Sequence, residues 1–321
     1  MPCHVTEWAM GRRYVMRLRR PRFKGTWTPF VTPRQSIRRL VWLGLVASVL
    51  VMTIWAATTQ TVGGQRVADL ILYGRAGADA DVLVAAWDTL AMVSVVSAAL
   101  AGLGLVTLAL AEGGVRHALA VVVILIGANM TTQGLKVVLG RPNFLGDAAY
   151  AVGNSFPSGH VTVVASLGLA FVLVAPRRVR TPAAIAAAIL IGAVGVSTIA
   201  AGWHRLADVA GAVLISLAWA SLVTGILVRG QGWMPRRTWG RGLGGRVTTL
   251  AAAVGWVAVI TGAAGVAVSL SDPTPLDGVI ATDPLAVWTF VAAVAITAGV
   301  SLLAPASYVW AMRGVAFEQA G

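Results

Sequence analysis

Eight long apolar stretches, separated by short polar segments, set the pattern of this chain. Each stretch covers 16 to 23 residues, close to the roughly 20 residues with which a helix crosses the hydrocarbon core of a bilayer. The pattern therefore predicts an all-α, polytopic integral membrane protein. The predicted spans are 40–59, 89–110, 117–138, 160–175, 183–202, 207–228, 248–270 and 285–305.

The segment 61–87, between the first two spans, has a different pattern. Apolar residues such as Leu70 and Ile71 are interspersed there with Arg66 and Asp69. This mixture is too polar to cross a membrane, but it gives a helix one apolar face. We therefore predict an interfacial amphipathic helix in this segment.

Composition agrees with the membrane assignment and excludes other classes. The chain is 57% hydrophobic and 12% charged, whereas soluble domains average about 25% charged residues. The net charge of +13 does not indicate nucleic-acid binding, because the basic residues cluster beside the apolar spans. The single cysteine, Cys3, excludes an internal disulfide. One cysteine and four scattered histidines argue against a structural zinc site, and we expect no metal or other cofactor.

The distribution of basic residues predicts the orientation. With eight spans, twenty of the 25 Lys and Arg residues fall on one side of the membrane, which the positive-inside rule assigns to the cytoplasm. Both termini are then cytoplasmic, in a cell (plasma) membrane. The other five basic residues face outward together with nine of the twelve acidic residues. These five are Arg66, Arg75, Lys136, Arg141 and Arg205.

Three parts of the chain are predicted from the same pattern. Residues 1–38 form a basic cytoplasmic segment that contacts anionic lipid, with a cleaved signal peptide as the disfavoured alternative because no small-x-small cleavage site follows the first span. Residues 39–229 form a six-helix core. Residues 230–321 comprise a Gly/Arg-rich linker and a C-terminal two-helix hairpin. Small residues in the spans permit close helix packing and leave the oligomeric state open.

Three polar stretches lie at span ends on the predicted outer side. The first runs from Lys136 to Pro142 and contains two cations, Lys136 and Arg141. A lysine near a helix end could simply extend to the membrane surface, and two cations there could bind any lipid headgroup.

The second stretch is Pro157-Ser158-Gly159-His160, at the start of the fourth span. The amides of Ser158 and Gly159 would lie at a helix N-terminus, where free N–H groups bind phosphate. The alternative is an ordinary helix start followed by an incidental histidine.

The third stretch contains His204, Arg205 and Asp208. If the sixth span began at or before His204, this histidine and Asp208 would share one helix face. The carboxylate could then hold one ring nitrogen and leave the other as a nucleophile or base. The alternative is a polar cluster that anchors a helix end. Because all three stretches fall on the same side at adjacent span ends, we expect them to form one site.

These residues resemble the phosphatidic acid phosphatase type 2 / vanadium haloperoxidase superfamily, whose motifs are K-x6-R-P, P-S-G-H and S-R-x5-H-x3-D. Residues 157–160 match the second motif in full, and Ser197, His204 and Asp208 match the third. The resemblance covers roughly the first six spans, and it implies a six-helix core with a site at its outer face.

The two arginine positions depart from the motifs. Asn143 stands where the first motif has arginine, and Thr198 stands where the third has arginine. Arg141 lies two residues before the first of these positions, and Arg205 directly follows His204. We therefore hypothesise that Arg141 and Arg205 replace the missing pair.

The resemblance implies a role for each matched residue. His204 would attack phosphorus and form a phosphohistidine, Asp208 would orient its ring, and His160 would protonate the leaving oxygen and then activate water. The remaining residues would bind the phosphate oxygens, namely Lys136, Arg141, Arg205 and the amides of Ser158 and Gly159.

The resemblance thus implies a metal-independent membrane phosphatase that acts on lipid phosphate or diphosphate esters. Polyprenyl diphosphate, phosphatidic acid and phosphatidylglycerol phosphate are the candidate substrates, and membrane lipids and the substrate are the only partners expected. A lipid phosphotransferase stays open because it shares the first half-reaction. A catalytically impaired transport or assembly subunit is the third alternative, although the almost uniformly apolar spans disfavour transport.

Overall fold

The computed structural model describes residues 33–146, 154–229, 243–272, 283–313 and 315. Most of the predicted basic segment 1–38, Cys3 and residues 230–242 lie outside the described residues. The predicted Gly/Arg-rich linker, 230–247, is wrong at its end, because residues 243–247 are helical. Within the described residues every regular element is a helix. The helices are α1 (Pro33–Thr59), α2 (Val62–Arg75), α3 (Ala80–Ala91), α4 (Val95–Val138), α5 (Gly159–Val174), α6 (Arg180–Ala200), α7 (Leu206–Arg229), α8 (Leu243–Ser271) and α9 (Pro284–Ala311).

Helix α4 is a hairpin of two spans. Gly114 has φ +70° and interrupts the helix. A Cβ built on Gly102 would lie 3.5 Å from Leu125 Cδ1, whereas a straight helix would separate these residues by about 35 Å. The two halves therefore run antiparallel, and they correspond to the second and third predicted spans.

The turn of this hairpin has a specific closing contact. His117 Nδ1 lies 2.7 Å from the Gly113 carbonyl oxygen. A Cβ on Gly113 would fall within 2.3 Å of two atoms of the His117 ring, so this ring and a larger residue at position 113 exclude each other.

The predicted spans agree with the helices in number and order. Six helices are long and apolar enough to cross a membrane, and α5 is a shorter apolar helix. Since α4 contains two spans, the all-α, multi-pass prediction is confirmed for the described part of the chain. The predicted span 89–110 is wrong at its start, because Ser94 and Ser97 form a capping box that begins α4 after α3 has ended.

The segment 61–87 forms two helices, α2 and α3, rather than one. The hydroxyl of Thr61 caps α2 by accepting from the Gly64 amide at 3.0 Å. One face of α2 is buried and packs against α9. At the closest approach, a Cβ on Gly74 would lie 2.1 Å from the Ala286 carbonyl oxygen, so this crossing requires glycine.

Helix α5 lies at the centre of the bundle and packs against α4, α6 and α7. Val161, Leu169 and Leu173 on this helix are fully buried in the main apolar core. The Pro-Ser-Gly-His stretch at its N-terminus is therefore surrounded by the ends of the other core helices. Helix α9 packs not only on α8 but also on α2, α6 and α7.

Candidate active site

The three polar stretches meet at one end of the bundle, as the sequence predicts. Arg141 Nη2 lies 2.9 Å from Asp208 Oδ1, which joins the first stretch to the third. The rings of His160 and His204 have centroids 6.3 Å apart, which joins the second to the third. A Cβ built on Gly159 would lie 3.7 Å from Lys136 Nζ, which joins the first to the second.

Asp208 is the centre of this cluster. It lies in the first turn of α7 and is fully buried. Arg141 Nη2 donates to Oδ1, while the Ser155 hydroxyl at 2.6 Å and the Arg205 amide at 2.9 Å donate to Oδ2. A buried carboxylate requires such compensation, and charge-assisted hydrogen bonds of this kind are the stronger class. The carboxylate is therefore held in one orientation.

His204 lies beside this carboxylate. Its Nδ1 is 3.4 Å from Asp208 Oδ2, which is long for a hydrogen bond, and such contacts often tighten only when substrate binds. The condition for a shared helix face is not met, because α7 begins at Leu206, close to the predicted start at residue 207. His204 lies in the turn before the helix, and that turn brings its ring to the carboxylate. Nε2 is the ring nitrogen left for chemistry.

The α6–α7 turn is built from backbone contacts. The Thr198 carbonyl accepts from the amides of Trp203 and His204 at 3.0 and 3.2 Å. The Thr198 hydroxyl donates to the Gly195 carbonyl and is fully buried. Thr198 therefore shapes the turn, although the family motif has a phosphate-binding arginine at this position.

Gly202 is required within this turn. Its φ is +73°, a conformation that favours glycine. A Cβ there would lie 2.5 Å from Arg75 Cζ. Arg75 Nη1 also donates to the Ala200 carbonyl at 3.2 Å. The guanidinium of Arg75 thus lies across the turn that presents His204.

Ser158 does not have the role predicted for it. Its amide donates to the Asp208 carbonyl at 2.9 Å, so this donor is already used and the predicted phosphate contact from it is wrong. The Ser158 hydroxyl caps α5 by accepting from the Val161 amide at 3.4 Å. Ser158 thus joins the second stretch to the third. Of the two amides predicted to bind phosphate, that of Gly159 is the one left for this role.

The cations differ in their surroundings. The Arg141 side chain is only 2% exposed, and its Nη1 donates to the Ser155 hydroxyl at 3.0 Å. Arg205 is also buried, and its Nη1 donates to the same hydroxyl at 3.3 Å. Lys136 is half-buried. Asn143 is exposed, so Arg141, and not the residue at the motif position, contacts Asp208.

Three polar residues that the motifs do not include support the site. Ser155 contacts Asp208 and both arginines. Asn154 Nδ2 donates to the Leu139 carbonyl at 2.7 Å, which ties the end of α4 to the loop before α5. Gln65 on α2 donates to the Pro142 carbonyl at 2.6 Å and accepts from the Phe144 amide at 3.1 Å. The available sequence signal was the polar pair Asn154-Ser155 beside Pro157, whereas nothing in the sequence pointed to Gln65.

An aromatic pair borders the histidines. The ring of Trp203 lies 5.2 Å from that of His160, centroid to centroid. Trp87, on α3, meets Trp203 edge to face at 4.9 Å. One side of the site is therefore polar and cationic, and the side next to His160 is aromatic.

The described helices form a multi-pass membrane protein, in which histidine, aspartate and cations converge at the end of a helix bundle. Residues 117–230 match the family model described as the PAP2 superfamily. The matched range contains all three motif stretches. No curated protein and no solved structure gives a significant match to the chain. The superfamily match supports a phosphatase-type activity.

Proposed function

We propose that this protein is a metal-independent membrane phosphatase that hydrolyses lipid phosphate or diphosphate esters through a phosphohistidine at His204. The observation that carries the proposal is the placement of the His204 ring between the fixed carboxylate of Asp208 and the second histidine, His160. A nucleophile, an orienting carboxylate and a general acid are the groups that this reaction needs.

In the first step, His204 Nε2 attacks phosphorus in line with the leaving oxygen. The new N–P bond forms as the P–O bond to the leaving group breaks, and His160 donates a proton to the departing oxygen. The leaving group is the lipid alcohol in a phosphate monoester and the lipid monophosphate in a diphosphate. Asp208 compensates the positive charge on the phosphorylated ring through Nδ1. The carboxylate can do this because Arg141, Ser155 and the Arg205 amide fix it in place.

Phosphoryl transfer depends mainly on placement and on neutralisation of the equatorial oxygens. We assign that neutralisation to Lys136, Arg205 and the Gly159 amide. The geometry supports a different role for Arg141, since both of its terminal nitrogens donate to Asp208 and Ser155. In this proposal Arg141 is a positioning residue that acts through Asp208, and Arg205 is the cation that replaces an arginine of the motifs.

In the second step, His160 removes a proton from water, which attacks phosphorus and breaks the N–P bond. Inorganic phosphate leaves, and His204 is regenerated. If an alcohol occupied the place of water, the same intermediate would give a phosphotransferase, so the acceptor decides between these activities.

A lipid substrate is supported by the position of the cluster at the end of apolar helices and by the aromatic pair beside it. The charge bias of the sequence supports a position of this end at the outer face of the cell membrane. Polyprenyl diphosphate released there by cell-wall assembly is the favoured substrate, and its hydrolysis would recycle the carrier. Phosphatidic acid and phosphatidylglycerol phosphate compete for this assignment.

The test is phosphate release by the purified protein in detergent with EDTA present, using these three lipids in separate reactions. We expect release from at least one lipid with EDTA changing the rate less than twofold, and we expect release to disappear in His204→Ala. Folded protein that releases no phosphate from any of them, or a His204→Ala variant as active as the wild type, would overturn the proposal.

A further inference from the structure

We propose that Trp87 and Trp203 form the subsite for the apolar part of the departing lipid group. This inference rests on the proposed function, because it uses the direction in which the leaving group departs. The ligand chemistry is the hydrocarbon of that leaving group, whether it belongs to a polyprenyl phosphate or to a diacylglycerol. Neither tryptophan belongs to the three motifs.

The direction follows from in-line displacement. The leaving oxygen lies opposite the attacking nitrogen of His204 and next to the group that protonates it, His160. The aromatic ring that borders His160 is that of Trp203, at 5.2 Å between centroids. The leaving group therefore passes along Trp203, and its hydrocarbon begins at the leaving oxygen in a monoester and one phosphate further on in a diphosphate.

Trp87 extends this aromatic surface away from the histidines. The two indoles meet edge to face, a favourable arrangement for aromatic pairs. Trp203 is 38% exposed and Trp87 is 49% exposed, so both can contact a ligand. Trp87 lies on α3, and Val84, three residues earlier and so on the same face of the helix, is also exposed. An apolar surface thus continues from Trp203 through Trp87 to Val84, and a lipid tail is a ligand that would follow it.

The competing explanation is that these indoles only anchor helices at the membrane interface, where tryptophan is enriched. Trp288 provides a matched control. It lies near the start of α9, on the same predicted outer side of the membrane as the site but next to α8, and it is 70% exposed. An anchoring role would make the effects of losing Trp87 and losing Trp288 similar.

The experiment compares Trp87→Ala, Trp87→Phe and Trp288→Ala in the full-length protein. Trp87 is changed rather than Trp203, because Trp203 directly precedes His204 in the chain. A substitution at position 203 would disturb the placement of His204. Each variant is assayed with undecaprenyl diphosphate, with phosphatidic acid and with acetyl phosphate, whose leaving group has no tail. Inhibition by vanadate reports whether the phosphate site is intact.

For Trp87→Ala, we expect kcat/KM for at least one of the two lipids to fall about tenfold. The rate with acetyl phosphate and the vanadate inhibition constant should stay within twofold of wild type. Trp87→Phe should recover most of the loss, and Trp288→Ala should leave all three substrates unchanged. The lipid with the larger loss identifies the tail that the pair accommodates.

The subsite is overturned if Trp87→Ala leaves both lipid rates unchanged, if acetyl phosphate loses as much as the lipids, or if Trp288→Ala gives the same lipid-specific loss. Failure of the proposed function gives a different result, because the wild-type protein would then release no phosphate even from acetyl phosphate or would do so without His204.

Discussion

Two buried polar clusters lie at opposite ends of the bundle, and each contains a histidine and an arginine. His204 and Arg141 belong to the site. His117 and Arg180 lie at the other end, since His117 precedes Lys136 by 19 residues of the same helical segment, about 28 Å along its axis. The two clusters therefore hold similar side chains in different surroundings.

The difference lies in what holds these side chains. At the site, Arg141 donates to a carboxylate and a hydroxyl from two other segments. At the opposite end, Arg180 Nη1 donates to the Val315 carbonyl and His117 contacts the Gly113 carbonyl. Backbone carbonyls tie helix ends together, whereas an aspartate can orient a ring and compensate its charge. The comparison teaches that the hydrogen-bond partners of these side chains, and not the residue types, distinguish the cluster proposed to be catalytic from the structural one.

Exchanging each histidine for alanine gives the largest contrast. His204→Ala should lower phosphate release by at least about 10³-fold, because no other group can form the intermediate. His117→Ala should keep the turnover of the folded protein within threefold and lower its thermal stability, because it removes the closing contact of the α4 hairpin. Phosphate release and melting in detergent measure the two effects, and a comparable loss of turnover in His117→Ala would remove the distinction between the clusters.

The two arginines should differ next most strongly. Arg141→Ala should lower kcat about 100-fold, because Asp208 loses the guanidinium that fixes it and stays buried. Arg205→Ala should instead raise the vanadate inhibition constant, since Arg205 is assigned to the phosphate. Steady-state kinetics with vanadate inhibition separate these outcomes.

If Arg141→Ala does not fold, Arg141→Lys provides the test, because lysine keeps the positive charge and can still donate a hydrogen bond to Asp208. Its kcat should lie between those of Arg141→Ala and wild type. Arg180→Ala is the matched control at the other end and should affect stability only. Weaker vanadate binding in Arg141→Lys with unchanged kcat would show that Arg141 binds phosphate directly.

A smaller effect is expected from the hydroxyl that joins Asp208 to both arginines. Ser155→Ala should lower kcat about tenfold, consistent with about 1.4 kcal/mol for a lost hydrogen bond to a charged group, and Ser155→Thr should restore part of it. Thr224→Val, which removes the hydroxyl paired with Tyr308 at the other end, should cost stability and leave kcat unchanged. Equal kcat values in Ser155→Ala and wild type would argue against a positioning role.

The sequence predicted the helices well because each span follows from a continuous apolar run. The convergence of the three polar stretches could be predicted because consecutive spans cross the membrane in opposite directions. The end of the third span, the start of the fourth and the segment between the fifth and sixth therefore lie on the same side. The start of α4 could not be predicted, since Ala91 and Val95 are both apolar and only local capping by Ser94 separates two helices there.

Within the site, the motifs identified the residues but not their contacts. The Ser158 amide was expected to be free at a helix start, yet it donates a hydrogen bond to the Asp208 carbonyl, 50 residues later in the chain. The sequence left open whether His204 lies on a helix, and Gly202 and the Thr198 carbonyl create the turn that holds it. Such contacts join residues that are 6 to 50 positions apart, and local patterns do not encode them.

The contact of Gln65 with the loop after α4 links the site to the C-terminal hairpin. Gln65 belongs to α2, and α2 is pressed against α9 through Gly74. A chain stopped after Arg229 would keep every motif, but α2 would lose the surface that supports it. The loop that presents Arg141 would then lose the support that α2 gives it and keep the contacts of Trp55 and Gln60 with the Gly140 carbonyl. We therefore expect the C-terminal hairpin to support the site indirectly, and we expect a shortened version of this protein without it to be less active.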